Sequence, residues 1–267
     1  MKHCIRAAAT AAMLSAGVCT ASFAQAPQNF DAIQIDTLKV RDNVYMLVGS
    51  GGNITMQVGE DGILLVDTQY APLSDKIVAA IRKISPKPIH YIVNTHHHGD
   101  HTGGVRLAVA EGVTEIITHR SNVAYLNDVL MRPHTINPDD LAKKGSVKLP
   151  KITAVDDTGV LRDAMMTVNM FHIRDNSHAD SMLMLYFPGG KILTQPDIYM
   201  PNDARNVIEG EPLGHAPWLQ NLAGNIALRK LDVEYHAPIH GDYVTNKQFL
   251  DSLIFMTQFV PGAKATN

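Results

Sequence analysis

Residues 95–104 read Thr95-His96-His97-His98-Gly99-Asp100-His101-Thr102-Gly103-Gly104. In an extended segment residues two apart share a face, so His96 and His98 present their imidazoles to one point while His97 points away. The chain turns at Gly99, where the absent side chain leaves steric room. Asp100 and His101 then sit on the turn into a following helix and face a second point close to the first. Imidazole and carboxylate donors without a thiolate suit zinc, iron or manganese. At this chain's own His and Asp frequencies, a His-x-His-x-Asp-His pattern arises by chance in roughly one such sequence in 400, so coincidence is a poor account of it.

The segments around this loop alternate between strand and helix patterns. Ile89 to Asn94 is a buried-strand candidate that delivers the loop at its C-terminal end. Upstream, Asn43 to Val48, Asn53 to Val58 and Ile63 to Asp67 are short apolar runs separated by glycines, as in a meander. Pro72 to Ile84 carries Leu73, Ile77, Ala80, Ile81 and Ile84 at helical spacing and stops at Ser85-Pro86. Downstream come a short helix at Val105 to Ala110, a strand at Val113 to Thr118 and a helix at Asn122 to Leu130. Met131 to Pro150 is turn-rich and aperiodic and reads as a long surface loop. Met166 to Ile173, Ser181 to Phe187 and Lys191 to Leu193 return to strands. Pro217 to Leu231 is helical, Val233 to Ile239 a strand, and Asn246 to Phe259 a closing helix. No repeat of 20–50 residues and no low-complexity tract occurs. The class is α/β, with two sheets packed together and helices outside.

The chain has 267 residues, a net charge of -3, 45% hydrophobic and 18% charged residues, and 13 histidines. This supports a sizeable core and excludes disordered, collagen-like and disulfide-dense classes. The near-neutral balance gives no footprint for nucleic acid. Lys2, His3 and Arg6, the apolar stretch Ala7 to Val18 and the small residues around Ala24 form a secretory leader pattern. The expected organisation is therefore a leader over 1–24, cleaved near Ala24, and one domain over 25–267, exported to a periplasm or the medium. A lipid anchor at Cys19 is disfavoured by the bulky Val18 before it, and no other run reaches the ~18 apolar residues of a membrane span. The leader carries Lys2, Arg6 and no acidic residue, so its removal makes the chain two charges more negative. Both cysteines, Cys4 and Cys19, lie in it. The expected mature protein thus has no disulfide and no thiolate ligand, and any metal site must use His and carboxylate.

The His-rich loop resembles that of the metallo-β-lactamase-fold hydrolases. The resemblance runs from about Asn43 to Phe249, taking in Gly49 to Asn53, Val66-Asp67-Thr68, the loop itself, His178, Asp197 and His240. It implies an αββα sandwich of two mixed sheets flanked by helices, with metals in a cleft at the strand ends. It further implies that His96, His98 and His178 bind one metal, that Asp100, His101 and His240 bind another, and that Asp197 bridges them. His172 competes with His178, and His236 with His240; the strand following His178 favours the later residue of the first pair. The family commonly has Gly-Asp where this chain has Pro196-Asp197, and a bend at Pro196 would tilt the carboxylate. Asp67 reads as a partner that orients a ligand. His90, His97, His119, His134, His172, His215 and His236 read as packing or surface residues. Two stretches are candidates to overhang the cleft, one containing His215 and Trp218, the other Met131 to Pro138.

The mechanism implied is hydrolysis by a metal-activated hydroxide at an acyl carbonyl, with two Zn2+ as the expected cofactors (iron or manganese as alternatives) and Asp100 assisting the leaving group. No Gly-x-Ser-x-Gly elbow is present for a serine mechanism. The small-molecule substrate is expected to be a cyclic amide or ester, a β-lactam or a lactone. The site resembles the cysteine-free β-lactamase subclass, but that subclass has serine where this chain has Ile198. A bridging Asp197 instead points towards lactone, thioester or phosphoester hydrolases. A mono-iron oxidoreductase using His96 or His98, His178 and Asp197, and a binding protein with a structural metal, are the readings from other classes.

Overall fold

The structure, a computed structural model, describes residues 28–201, 207–208, 211–212 and 216–258. The expected leader and His215 lie outside the described residues.

The first sheet opens with β1 (Asp36–Arg41), β2 (Val44–Val48), β3 (Ile54–Val58) and β4 (Ile63–Val66), an antiparallel meander. Helix α1 (Ser74–Ile84) then leads to β5 (Ile89–Asn94). Next come α2 (Gly99–Thr102), α3 (Val105–Ala110), β6 (Glu115–His119), α4 (Val123–Met131), α5 (Asp140–Lys144) and β7 (Lys151–Val155). From β4 to β7 the pairing is parallel, and helices make the crossovers such pairing requires.

The second sheet begins with the antiparallel β8 (Thr158–Arg162), β9 (Thr167–His172), β10 (Leu183–Phe187) and β11 (Ile192–Thr194). A small hairpin of β12 (Val207–Ile208) and β13 (Glu211–Pro212) precedes α6 (Ala216–Leu228), β14 (Tyr235–His236), β15 (Val244–Thr245) and α7 (Asn246–Gln258). Its spatial order is β15-β14-β11-β10-β9-β8, with β14 parallel to β11.

Alternation along the strands builds the layers. On β4, Leu64 and Val66 face the second sheet and pack with Val168, Leu185 and Ile239, while Ile63 and Leu65 pack with Ile77 and Ile81 of α1 and Val109 of α3. On β10, Leu183 and Leu185 face inward, and Met184 and Tyr186 pack with Leu219 and Leu222 of α6 and Phe249 of α7. The result is helices, sheet, sheet, helices: the expected αββα sandwich. Ile63, Leu64 and Ile81 are all fully buried, and each such side chain contributes about 1.5–3 kcal/mol by leaving water.

Four segments depart from the sequence reading. β1 was not expected: its residues are almost all exposed, and its alternation is confined to Leu38-Lys39-Val40-Arg41. The edge strands β7 and β8 were also missed; they belong to different sheets, and the chain passes from one to the other at Asp156-Asp157. The loop read over Met131 to Pro150 contains α5, which is capped by Asp139 accepting from Ala142 N and anchored by the buried Leu141. The strand expected over Val233 to Ile239 shortens to β14. Ala237 N and Ile239 N still donate to Leu193 and Gln195, but Pro238 between them has no donor.

The ends of β4, β5, β11 and β14 meet at one rim of the sandwich, the usual place for a site in an open parallel arrangement. Asn53 ties the sheets together there, its backbone N–H donating to Ile239 O and its side chain to Pro238 O and Gly241 O.

Candidate metal centre

The His-rich loop leaves β5 as extended chain and enters the four-residue α2. His98 stands at the helix N-cap position in extended conformation, and Thr102 Oγ1 donates to His98 O. The glycines that end the motif have a packing role. A Cβ on Gly103 would lie 2.7 Å from Ala71 N, and one on Gly104 would lie 2.5 Å from Thr68 O. Thr68 N donates to His101 O and Gly104 N to Gln69 O, so the turn is locked against the end of β4.

Two donor clusters result. One comprises His96, His98, His178 and Asp197; the other, Asp100, His101 and His240. Asp197 lies between them. Its Oδ2 is 3.5 Å from His96 Nε2, 3.9 Å from His98 Nδ1 and 3.2 Å from His178 Nε2. Its Oδ1 is 3.1 Å from His101 Nε2 and 3.2 Å from His240 Nε2. Asp100 closes the second cluster, with Oδ1 at 3.6 Å from His101 Nε2 and Oδ2 at 3.4 Å from His240 Nε2. Pro196 does not tilt Asp197 away. The buried Gln195 fixes the turn, its Oε1 accepting from Ile198 N and Tyr199 N.

The orientation of the rings traces to Asp67, buried at the end of β4 in left-handed conformation at φ 62. Its Oδ1 accepts from Thr95 N at 2.8 Å. Its Oδ2 receives the Thr95 hydroxyl at 2.6 Å and His101 Nδ1 at 2.7 Å. A threonine hydroxyl has one proton. Once given to Asp67, Thr95 Oγ1 can only accept from His96 Nδ1, 3.2 Å away. Both rings therefore keep a proton on Nδ1 and turn Nε2 into the clusters.

These donors fit divalent metal ions. His96 Nε2 and Asp197 Oδ1 are buried with no hydrogen-bond partner, an arrangement that is costly unless something else satisfies them. His98 Nδ1 and His178 Nε2 are 3.3 Å apart, as are His101 Nε2 and His240 Nε2. Zinc–nitrogen bonds of about 2.0–2.1 Å in tetrahedral coordination separate two nitrogens by about 3.3 Å. Charge tells the same story. Burial depresses His96 and His98 below the ordinary His range. Burial also opposes charge on His101 and His240, but Asp67 and Asp197 raise the first to about 10, and Asp100 and Asp197 the second to about 9. Burial alone would raise the Asp197 carboxyl, yet the surrounding imidazoles hold it well below its usual value. The carboxylates thus draw positive charge into a buried nest of nitrogen donors.

The pattern of the metallo-β-lactamase superfamily matches residues 47–240. The chain belongs to the metallo-β-lactamase superfamily. Among solved structures of that fold, the metallo-β-lactamase from Pontibacter korlensis superposes with a TM-score of 0.62 at 18% identity, covering 85% of this chain and 100% of that one. The metallo-β-lactamase FIM-1 from Pseudomonas aeruginosa in its mono-zinc form superposes with a TM-score of 0.61 at 16% identity, over 84% of this chain and 96% of that one. Two curated relatives carry other names. A linear primary-alkylsulfatase from a Pseudomonas species is 26% identical over 236 residues, 74% of this chain but 43% of its own length. An alkyl/aryl-sulfatase from Saccharomyces cerevisiae is 24% identical over 60% of this chain and 30% of its own length. The chain thus spans less than half of either sulfatase.

Within this metallo-β-lactamase fold, the seven singled-out residues come together at one rim. The competing histidines do not join them. His172 Nε2 contacts Asp180 O and its ring stacks on His119; His236 is buried against Phe249 with Nε2 on Asn246 Oδ1. His97 is exposed, 6.0 Å ring to ring from Tyr125. Trp218 does approach the cleft, its ring 5.4 Å from that of His178 and its Nε1 donating to Ser177 Oγ. Met131 and Ile136, in the other proposed overhang, are exposed, and that segment is anchored by Arg106 on Asp139. Thr95, Gln195 and Asn53 were missed as supports. Of these only Asn53, closing the run Gly49 to Asn53, carried a visible signal.

Proposed function

We propose that the protein is an exported binuclear metal-dependent hydrolase acting on a cyclic amide or ester. One observation carries the reading: the two oxygens of Asp197 face different donor clusters. In it, His96, His98 and His178 would hold one ion and Asp100, His101 and His240 a second, with Asp197 placed to serve either cluster. Zinc suits the His-rich donor set. When bound, such ions lower the pKa of a water and polarise the oxygen of the scissile group. The chain's own part is positioning and proton handling. Asp67 and Thr95 fix the tautomers of His101 and His96. Asp100 is partly open to the cleft at 22% side-chain exposure. Burial opposes its charge, but His240 and His101 hold its carboxyl below the ordinary range, so it is ionised at rest and would take up a proton from the attacking water and pass it to the leaving group.

A second cluster with its own three donors favours two ions over the mono-iron oxidoreductase, which would leave Asp100, His101 and His240 idle. A structural metal needs four ligands and no open position; seven donors with exposed His98 and Asp100 edges suit catalysis better. Within the ester class, Ile198 is fully buried in the core and offers no hydroxyl to a β-lactam carboxylate, which favours the lactone side. A second reading, sulfate ester hydrolysis, is supported by the two curated relatives named as sulfatases. Export rests on the leader pattern over 1–24, with 25–267 as the mature domain; no described helix is long and apolar enough to cross a membrane.

The test is turnover of a chromogenic cephalosporin, an aryl lactone and an aryl sulfate by mature protein, before and after chelation. Chelator-sensitive turnover of the lactone supports the leading reading. Sulfate cleavage alone moves the assignment to the second. Turnover that survives complete metal removal overturns both.

A further inference from the structure

His178 is held differently from the other six donors. Asp100 and His101 lie on α2, His96 and His98 in the four-residue segment that joins β5 directly to it, and Asp197 and His240 a few residues beyond β11 and β14. His178 lies midway along the connection 173–182 between β9 and β10, with no strand or helix of its own. That connection is tied by Ile173 N donating to Met182 O, Arg174 on Asp157 and His172 Nε2 against Asp180 O, and by two further sets of contacts. The first is internal: Asn176 Oδ1 accepts from His178 N and Ala179 N, and Asn176 Nδ2 donates to Ile173 O.

The second comes from α6. Trp218, Asn221 and Asn225 are spaced three and four apart, so they form one ridge along the helix. All three grip the connection. Asn225 is buried, its Oδ1 accepting from Arg174 N and its Nδ2 donating to Arg174 O. Asn221 Nδ2 donates to the same carbonyl at 2.7 Å. Trp218 Nε1 donates to Ser177 Oγ at 2.9 Å, and its ring stands at 89° to the His178 imidazole. The ridge thus fixes the connection at its start and beside the histidine itself. The rest of α6 does ordinary work, Leu219 and Leu222 packing into the core.

We propose that the Trp218–Asn221–Asn225 ridge of α6 is a positioning device for His178, setting the affinity of the His96–His98–His178 half of the centre and leaving the Asp100–His101–His240 half unaffected. This rests on the metal-centre reading above. The ridge touches no reacting atom, so its effect appears as a difference between the two half-sites. Supports of this kind change metal affinity by about 10–100-fold.

The experiment titrates metal-stripped protein with Co2+, following cobalt absorption and the fluorescence of Trp218, the chain's single tryptophan. The wild type should take up two ions, one of which changes the Trp218 emission; His178→Ala should abolish that change. Asn225→Ala and Asn221→Ala should weaken one ion by about 10–100-fold and leave the other at wild-type affinity. Trp218→Phe and Ser177→Ala remove the same hydrogen bond from opposite sides, so the double variant should weaken binding no more than either alone. If buried Asn225→Ala fails to fold, the less buried Asn221→Ala and the Trp218–Ser177 pair still decide. Folded variants that bind both ions as the wild type does, or lose both equally, overturn the proposal. A wild type that binds no ion overturns the metal-centre reading itself.

Discussion

Asp67 Oδ2 lies 2.7 Å from His101 Nδ1 and also takes the hydroxyl proton of Thr95, which leaves Thr95 to accept from His96. One carboxylate at the end of β4 therefore sets the tautomers of two histidines in two clusters. Its left-handed backbone, unusual for a residue with a side chain, costs on the order of 1–3 kcal/mol and is held by the surrounding bonds.

Replacing Asp67 with Asn should accordingly weaken metal binding at both half-sites by about 10–100-fold, because the amide cannot accept both protons without turning its NH2 towards one donor. Thr95→Val should affect mainly the His96 half. Metal content after dialysis against a buffered zinc series checks this. Equal metal affinity in Asp67→Asn and the wild type would show that the tautomers are set elsewhere.

Asp100→Asn should lower kcat by about 10²–10⁴-fold, the usual contribution of a positioned proton donor or acceptor. The fold should survive, since Asp100 is partly exposed and the α2 turn is held by backbone bonds to Thr68 and Gln69. Steady-state kinetics beside circular dichroism separates the two effects. Unchanged turnover with metals in place would remove Asp100 from the mechanism.

Acid should destabilise the fold through His236. This ring is completely buried, and burial pulls it down to about 4 even though Asn246 partly offsets the loss of solvent. Between pH 6.5 and 4 the unfolded chain binds a proton there and the folded chain does not. Stability is therefore full at neutral pH and falls as pH drops through that window, by on the order of 3 kcal/mol. His236→Gln keeps a donor to Asn246 without titrating, and its urea midpoint should fall less between pH 7 and pH 5 than that of the wild type. Parallel midpoints in the two proteins would contradict the assignment.

The Arg106–Asp139 pair should matter more than an ordinary surface ion pair. Arg106 is buried, forks onto Asp139 and caps the end of α4 through the carbonyls of Val129 and Leu130. Arg106→Met strands those carbonyls and the carboxylate, at a cost of about 3–5 kcal/mol. Asp139→Asn retains an acceptor for Ala142 N and should cost less. Urea unfolding of both variants measures the difference.

The sequence discloses most where side chains answer to their own neighbours along the chain. His96, His98, Asp100 and His101 are legible because strand and turn geometry places them without help from elsewhere. The meander to β4, α1 and α3 are legible because their apolar periodicity matches one period or the other. His178, Asp197 and His240 are legible only through family resemblance, since each reaches the rim by way of the second sheet. β1, β7 and β8 lie at sheet edges, where exposure leaves little buried surface to mark a strand. The Thr95 relay and the α6 ridge depend on contacts across 28 and up to 51 positions of chain, and uncharged side chains give no sign of which distant group they meet; the Gln195 clamp is local, but a buried glutamine carries no pattern that marks it as one.

The most direct test of the two-metal account is turnover against bound Zn2+ in metal-stripped protein, beside Asp197→Ala. The account predicts two bound equivalents, activity that climbs with the second, and a variant in which both half-sites are weakened. Full activity at one equivalent, or Asp197→Ala binding two ions as tightly as the wild type, would contradict it.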